Sequence, residues 1–188
     1  DISHGYKLSI LVMKIDIYGT VFFVNTLEAS DGSAQGYGLA VDPNSSDAII
    51  VGKTFKASTN SVNALITRLQ SSDNSIQWSR EFDSGAKEQF SDLLLSDNSV
   101  FVIGFSEGFD NNNKQDLIIM RLGAVSGETI KTARISGPSS IICSSITQDE
   151  NGLRIACTAQ ERATLFFVDR TTLTPGDLPP GYAYHDDV

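Results

Sequence analysis

Few residues in this 188-residue chain are of the types that do chemistry, and their spacing argues against most of what they could do. The two histidines, His4 and His185, lie within a few residues of the ends. Terminal segments order only when docked, so neither histidine is expected in a preorganised triad or a zinc site. Gly52-Lys53-Thr54 resembles the end of a phosphate loop. The earlier glycine such a loop requires falls on Asp47, and no helix follows to hold phosphate at its N-terminus. Ser84 and Lys87 have Ser-x-x-Lys spacing, and Ser-Asp-Asn occurs at 72–74 and 96–98, but the Lys-Thr-Gly element that completes such an acyl-transfer site is absent. The run from Asp110 to Asp116 offers side-chain oxygens at alternating positions, as a calcium loop does. Lys114 occupies a ligand position there and no bidentate Glu follows, so a solvated loop is the expectation. The expected catalytic, cofactor and metal sets are therefore empty.

Other residues point to covalent decoration. Cys143 and Cys157 flank a turn at 149–152 on adjacent antiparallel strands, within reach of a disulfide. A register slip of one residue would put them on opposite faces, where they would be two buried thiols. Asn44-Ser45-Ser46 is the only N-glycosylation sequon, on an expected exposed turn. Thr171, Thr172 and Thr174 beside Pro175 are candidates for O-linked sugars, although a plain proline-containing linker explains them equally.

The chain carries a formal net charge of −9, which disfavours a nucleic-acid or anionic membrane partner. No apolar run approaches the roughly 20 residues a membrane helix needs. The start at Asp1 fits a processed secreted protein and a trimmed fragment alike.

The elements that must position these residues repeat about every fifty residues. Leu11-Val12-Met13-Lys14-Ile15-Asp16, Leu65-Ile66-Thr67-Arg68-Leu69, Ile118-Ile119-Met120-Arg121-Leu122 and Phe166-Phe167-Val168-Asp169 are versions of one segment, with a basic or polar residue recurring at 14, 68, 121 and 169. In the first copy, strands are expected at 8–16, 20–27, 38–42 and 48–53, separated by Gly, Pro, Asn and Asp turns, with no helix. Each copy, about 8–58, 63–110 and 116–162 with a partial 163–188, is read as one four-stranded sheet in a single domain, 1–188. Trp78 of the second copy falls near the place that Phe22 and Phe23 hold in the first, Ile130 replaces the aromatic residue in the third, and Gly52, Gly104 and Cys157 close the fourth strands. The aromatics, Phe101 and Phe105 included, are expected to pack between sheets; an exposed set would suit a sugar platform.

Lys14-Ile15-Asp16, Gly19, Phe22, Gly36 to Gly38, Ala40-Val41-Asp42 and Ile50-Val51-Gly52, echoed by Asp116, Arg121-Leu122, Gly127, Asp149, Asn151 and Gly152, resemble the bacterial-type β-propeller repeat family. The resemblance implies an all-β propeller of about four blades and brings no catalytic residues. The last blade is incomplete within the chain, and Pro175, Pro179 and Pro180 make the tail 171–188 a poor central strand before Tyr182 to Tyr184. Three completions are open: Ile2 to Lys7, Tyr6 included, returning beside Phe166 and Phe167; a terminal strand from a neighbouring copy; or further blades in a longer chain. The expected function is a non-catalytic extracellular or cell-surface building block that associates with itself. The rival is a lectin-like module that binds carbohydrate, and an enzyme with carboxylates near the axis is a third class.

Overall fold

The computed structural model describes residues 7–107 and 114–186. Short β-branched and aromatic runs punctuated by turn residues give fourteen strands and, among the described residues, no helix. In order they are β1 (Ile10–Ile15), β2 (Val21–Leu27), β3 (Ser33–Val41), β4 (Ala48–Lys56), β5 (Ser61–Leu69), β6 (Ile76–Phe82), β7 (Glu88–Ser96), β8 (Ser99–Glu107), β9 (Gln115–Gly123), β10 (Thr129–Ser136), β11 (Ile141–Asp149), β12 (Gly152–Ala159), β13 (Arg162–Val168) and β14 (Ala183–Asp186). They form four antiparallel sheets: β1-β2, β3-β4-β5-β6, β7-β8-β9-β10 with β14 beside β10, and β11-β12-β13.

These sheets do not coincide with the copies 8–58, 63–110 and 116–162. The positions taken as boundaries between copies are hairpins inside a sheet: Lys56 pairs with Ser61 and Glu107 with Gln115, while Gln160-Glu161 is a two-residue turn with both φ angles positive. The crossings from sheet to sheet are instead the polar loops at 28–32, 83–87 and 137–140. A repeat has a period but no origin, so the spacing leaves its phase open.

Two bulges recur. In the first strand of each complete face an extra residue, Tyr37, Ser91 or Ser144, is left unpaired. Just before it the strands converge, pairing Gly36 with Gly52, Phe90 with Gly104, and Cys143 with Cys157. A Cβ on Gly52 or Gly104 would lie 1.9 Å from the carbonyl oxygen of Gln35 or Gln89. The second bulge leaves Phe22, Gln77 and Ile130 unpaired in the last strands. Trp78 therefore matches Phe23, as expected, and Lys131, while Ile130 matches Phe22 and Gln77, one residue away from the position of Trp78.

The sheets stack face to face. Ile10, Val12 and Leu27 pack on Ala34, Ile50, Leu65 and Leu69 of the second sheet. The other face of that sheet, with Ile49, Val51, Ile66 and Trp78, packs on Phe90, Val102, Ile118 and Met120 of the third. Ile103, Ile119 and Ile135 then meet Ile146, Ile155, Phe166 and Val168 of the fourth. Polar fastenings cross the same seams. The Arg68 Nη1–H donates to the Ala124 carbonyl at 2.7 Å, and the Trp78 indole N–H donates to the same oxygen at 3.3 Å. The Ile146 N–H donates to Asp92 Oδ2 at 3.0 Å.

The tail does not complete the last sheet. Val168 and Pro175 form one bridge and the Gly176 N–H donates to the Phe167 carbonyl, after which the prolines lead the chain away. It returns as β14 on the edge of the third sheet, with Tyr184 opposite Ile135 and Tyr182 edge-on to Phe166. Phe166 and Phe167 lie in β13, which among the described residues pairs only with β12 apart from that bridge. Ile2 and Tyr6 lie outside the described residues; Leu8 bonds Ser33 and Ala34 of β3.

Gly104→Ala should lower stability by about 1–3 kcal/mol, read from the urea midpoint at unchanged slope. Gly176→Ala, where the nearest atom to a new Cβ is 3.7 Å away, should leave the midpoint in place.

Candidate functional site

The repeat assigns every sheet a preceding face and a following face, and the two ends of the stack each leave one bare. In the first sheet the preceding face carries Leu11, Met13 and Ile15, which are 63%, 52% and 54% exposed. Their equivalents in β5 and β9 are Leu65 and Ile118, Thr67 and Met120, and Leu69 and Leu122, all 7% exposed or less. Val24, opposite Met13, extends the patch. Among the described residues β1 is also unpaired along the edge where β5 and β9 each meet a second strand. Exposed apolar side chains beside an unpaired edge are the two features by which interaction surfaces are sought.

At the other end the following face of the fourth sheet exposes Ile142, Leu165 and Phe167. Leu165 takes the place of the buried Ile66 and Ile119. Arg154 stands where the inner sheets have Ile49 and Phe101, and its guanidinium lies 4.0 Å from the Phe167 ring centroid. In the third sheet the same cross-strand pair is reversed, with Arg121 over Phe101 at 5.8 Å. Arg154 also bonds Asp149, so this face keeps one arginine in the cross-strand pair, as the inner following faces keep Arg68 and Arg121.

The aspartates at strand ends do structural work. Asp16, Asp42, Asp149 and Asp169 accept backbone N–H groups of their turns, and these bonds, chiefly from Thr20, Asn44, Asn151 and Thr172 respectively, hold their carboxyls below the ordinary value. Asp97 opens the turn to Asn98 at φ +48° and pairs with Arg170. Arg68 is buried and reaches Asp42 and Asp47 at 2.8 Å. Burial pushes Asp47 up, but the bonds from Arg68 and the Ser71 N–H leave it below its ordinary value. The recurrence of a basic residue at 68 was visible in the sequence; its two carboxylate partners, in a turn 21 and 26 residues away, were not.

At the opposite end of the sheets lies a buried carboxyl that no motif announced. Glu88 Oε1 accepts from the Ser84 N–H and hydroxyl and from Ser106, while Oε2 has no partner. Burial pushes this carboxyl above its ordinary value. Asn63, also buried, donates to Asp83 and Glu81. A cleft of about 730 Å³ nearby is lined by Lys7, Gln35, Lys53, Phe55 and Val62.

The residues singled out in the sequence are scattered. Cys143 and Cys157 are joined by a disulfide, S–S 2.00 Å, at the position the other sheets give to a glycine pair or Phe90 and Gly104. Asn44 is exposed on its turn. Thr171, Thr172 and Thr174 are exposed in a turn closed on Asp169 rather than in a loose linker, and the Thr172 hydroxyl donates to that carboxylate. His185 meets Ser136 in β14, and His4 lies outside the described residues. Lys87 pairs with Glu107 while Ser84 meets Glu88, so the two form no catalytic pair. Lys53 lies in β4 and bonds Gln89. Asp116 pairs with Arg134, and residues 110–113 lie outside the described residues. Among the described residues no three His, Cys, Asp or Glu side chains gather to hold a metal ion. No protein-family model matches the chain, and no curated protein does.

Because the folded-state pKa of Glu88 is raised, its favourable contribution is complete below its unfolded value and is lost as pH rises through the folded one. Glu88→Gln should therefore match the parent near pH 4 and become the more stable protein by about pH 7, in urea titrations across that range.

Proposed function

We propose that the chain is a run of consecutive β-propeller blades that serves as a non-catalytic extracellular building block and associates with copies of itself. The observation that carries this reading is the packing design repeated at three internal seams and left unmade at both ends, Leu11 and Met13 on one side and Leu165 and Phe167 on the other. The crossing from the last strand of one sheet to the first of the next supports a blade order around an axis. The Cys143–Cys157 disulfide suits an oxidising compartment, where such bonds persist. Exposed Asn44 on its sequon turn suits the same setting.

A net charge of −9 makes copies repel one another, and salt screens that repulsion while leaving apolar burial intact. Light scattering after size exclusion, with negative-stain micrographs, should show oligomers or filaments that increase with protein concentration and with salt. A monodisperse species of 20.3 kDa at every concentration and ionic strength would refute the reading.

A further inference from the structure

We infer that the contact between copies is head to tail, the bare face of β1-β2 in one copy seating on the bare face of β11-β12-β13 in the next. This deepens the proposed self-association and rests on it. Each internal seam joins the following face of one sheet to the preceding face of the next, and at the second and third seams the same strand positions supply both sides. Ile66 and Ile119, third-strand residues of a following face, are buried at the second and third seams, and Leu165 is their equivalent on the fourth sheet. Ile118, Met120 and Leu122 are buried from the preceding side at the second seam, and Leu11, Met13 and Ile15 are their equivalents on the first sheet. The chain thus carries both halves of a fourth seam, one at each end of the stack.

A second copy is the occupant that supplies both halves in register. The two faces are unlike. One is purely aliphatic at Leu11, Met13, Ile15 and Val24, while the other mixes Ile142 and Leu165 with Arg154 stacked on Phe167. Two copies of the aliphatic face meeting each other would reproduce none of the internal seams, whereas the unlike pair keeps their order, a following face against a preceding one. A contact between unlike faces is heterologous, so it extends into a filament or closes into a ring of copies according to the rotation per subunit.

The test uses two variants of the full chain, Met13→Glu and Leu165→Glu, both at exposed positions. Each puts a charge where the seam excludes water, so each alone should fail to assemble under conditions where the parent does. Mixed in equal amounts they should recover a dimer and nothing larger, because the Met13→Glu protein keeps an intact fourth-sheet face and the Leu165→Glu protein an intact first-sheet face. Circular dichroism and melting temperature establish that each variant is folded; Val24→Glu and Ile142→Glu test the same two faces if either is not.

If either single variant assembles like the parent, the seam is elsewhere and this inference falls, while self-association stands. If the folded single variants are monomeric and the mixture stays monomeric, the head-to-tail pairing is overturned. A parent that never assembles removes both the inference and the reading beneath it.

Discussion

Most of these sheets are apolar on both faces, and that single constraint organises the molecule. In β5 and β8 seven of nine residues are buried, so a sheet built from them cannot stand against water on either side. At about 25 cal/mol per Å² of apolar surface, leaving one such face bare is costly beside the small net stability of a domain. The sheets must therefore stack, and the chain does this by crossing from the last strand of one to the first of the next. The bulges at Tyr37, Ser91 and Ser144 belong to the same solution, since they let the first strand bend across the face of the preceding sheet.

Within that apolar stack the polar side chains act as joints. Arg68 ties the turn of Asp42 and Asp47 to its own strand and reaches across to Ala124, so one cation fixes a loop and a seam together. Removing either partner from such a buried cluster leaves an uncompensated charge, which is why it specifies geometry more surely than it adds stability. Glu88 is the opposite case. With one oxygen unpartnered, it is a weak point in the joint between the second and third sheets that a neutral side chain would relieve.

The same constraint that builds the interior leaves the ends unresolved. Three seams are closed inside the chain, and the first and fourth sheets each present the face that a fourth seam would cover. The ends are not equally bare. Arg154 and its stacked Phe167 make the fourth sheet easier to hydrate, while the bare face of β1-β2 presents the aliphatic Leu11, Met13, Ile15 and Val24. That difference in polarity gives the molecule a direction.

Much of this was written in the sequence. The strands at Ile10–Ile15, Val21–Leu27 and Ala48–Lys56 follow from apolar alternation and from the Gly, Asn and Asp turns between them, because both are local properties. The period of fifty residues was equally plain. Which strands share a sheet was not, since a hairpin at Lys56–Ser61 and a crossing at 28–32 look alike as short polar interruptions and only the sheet pairing tells them apart. Ile130 fell one residue out of alignment with Trp78 because a bulge changes the register without changing the composition. The partners of Arg68, the position of Glu88 and the course of the tail to β10 depend on surfaces brought together from distant segments. The sequence determined the strands and their period through local sterics and hydrophobicity; the tertiary structure alone decided which faces meet and which stay bare, because burial is a property of the assembled stack.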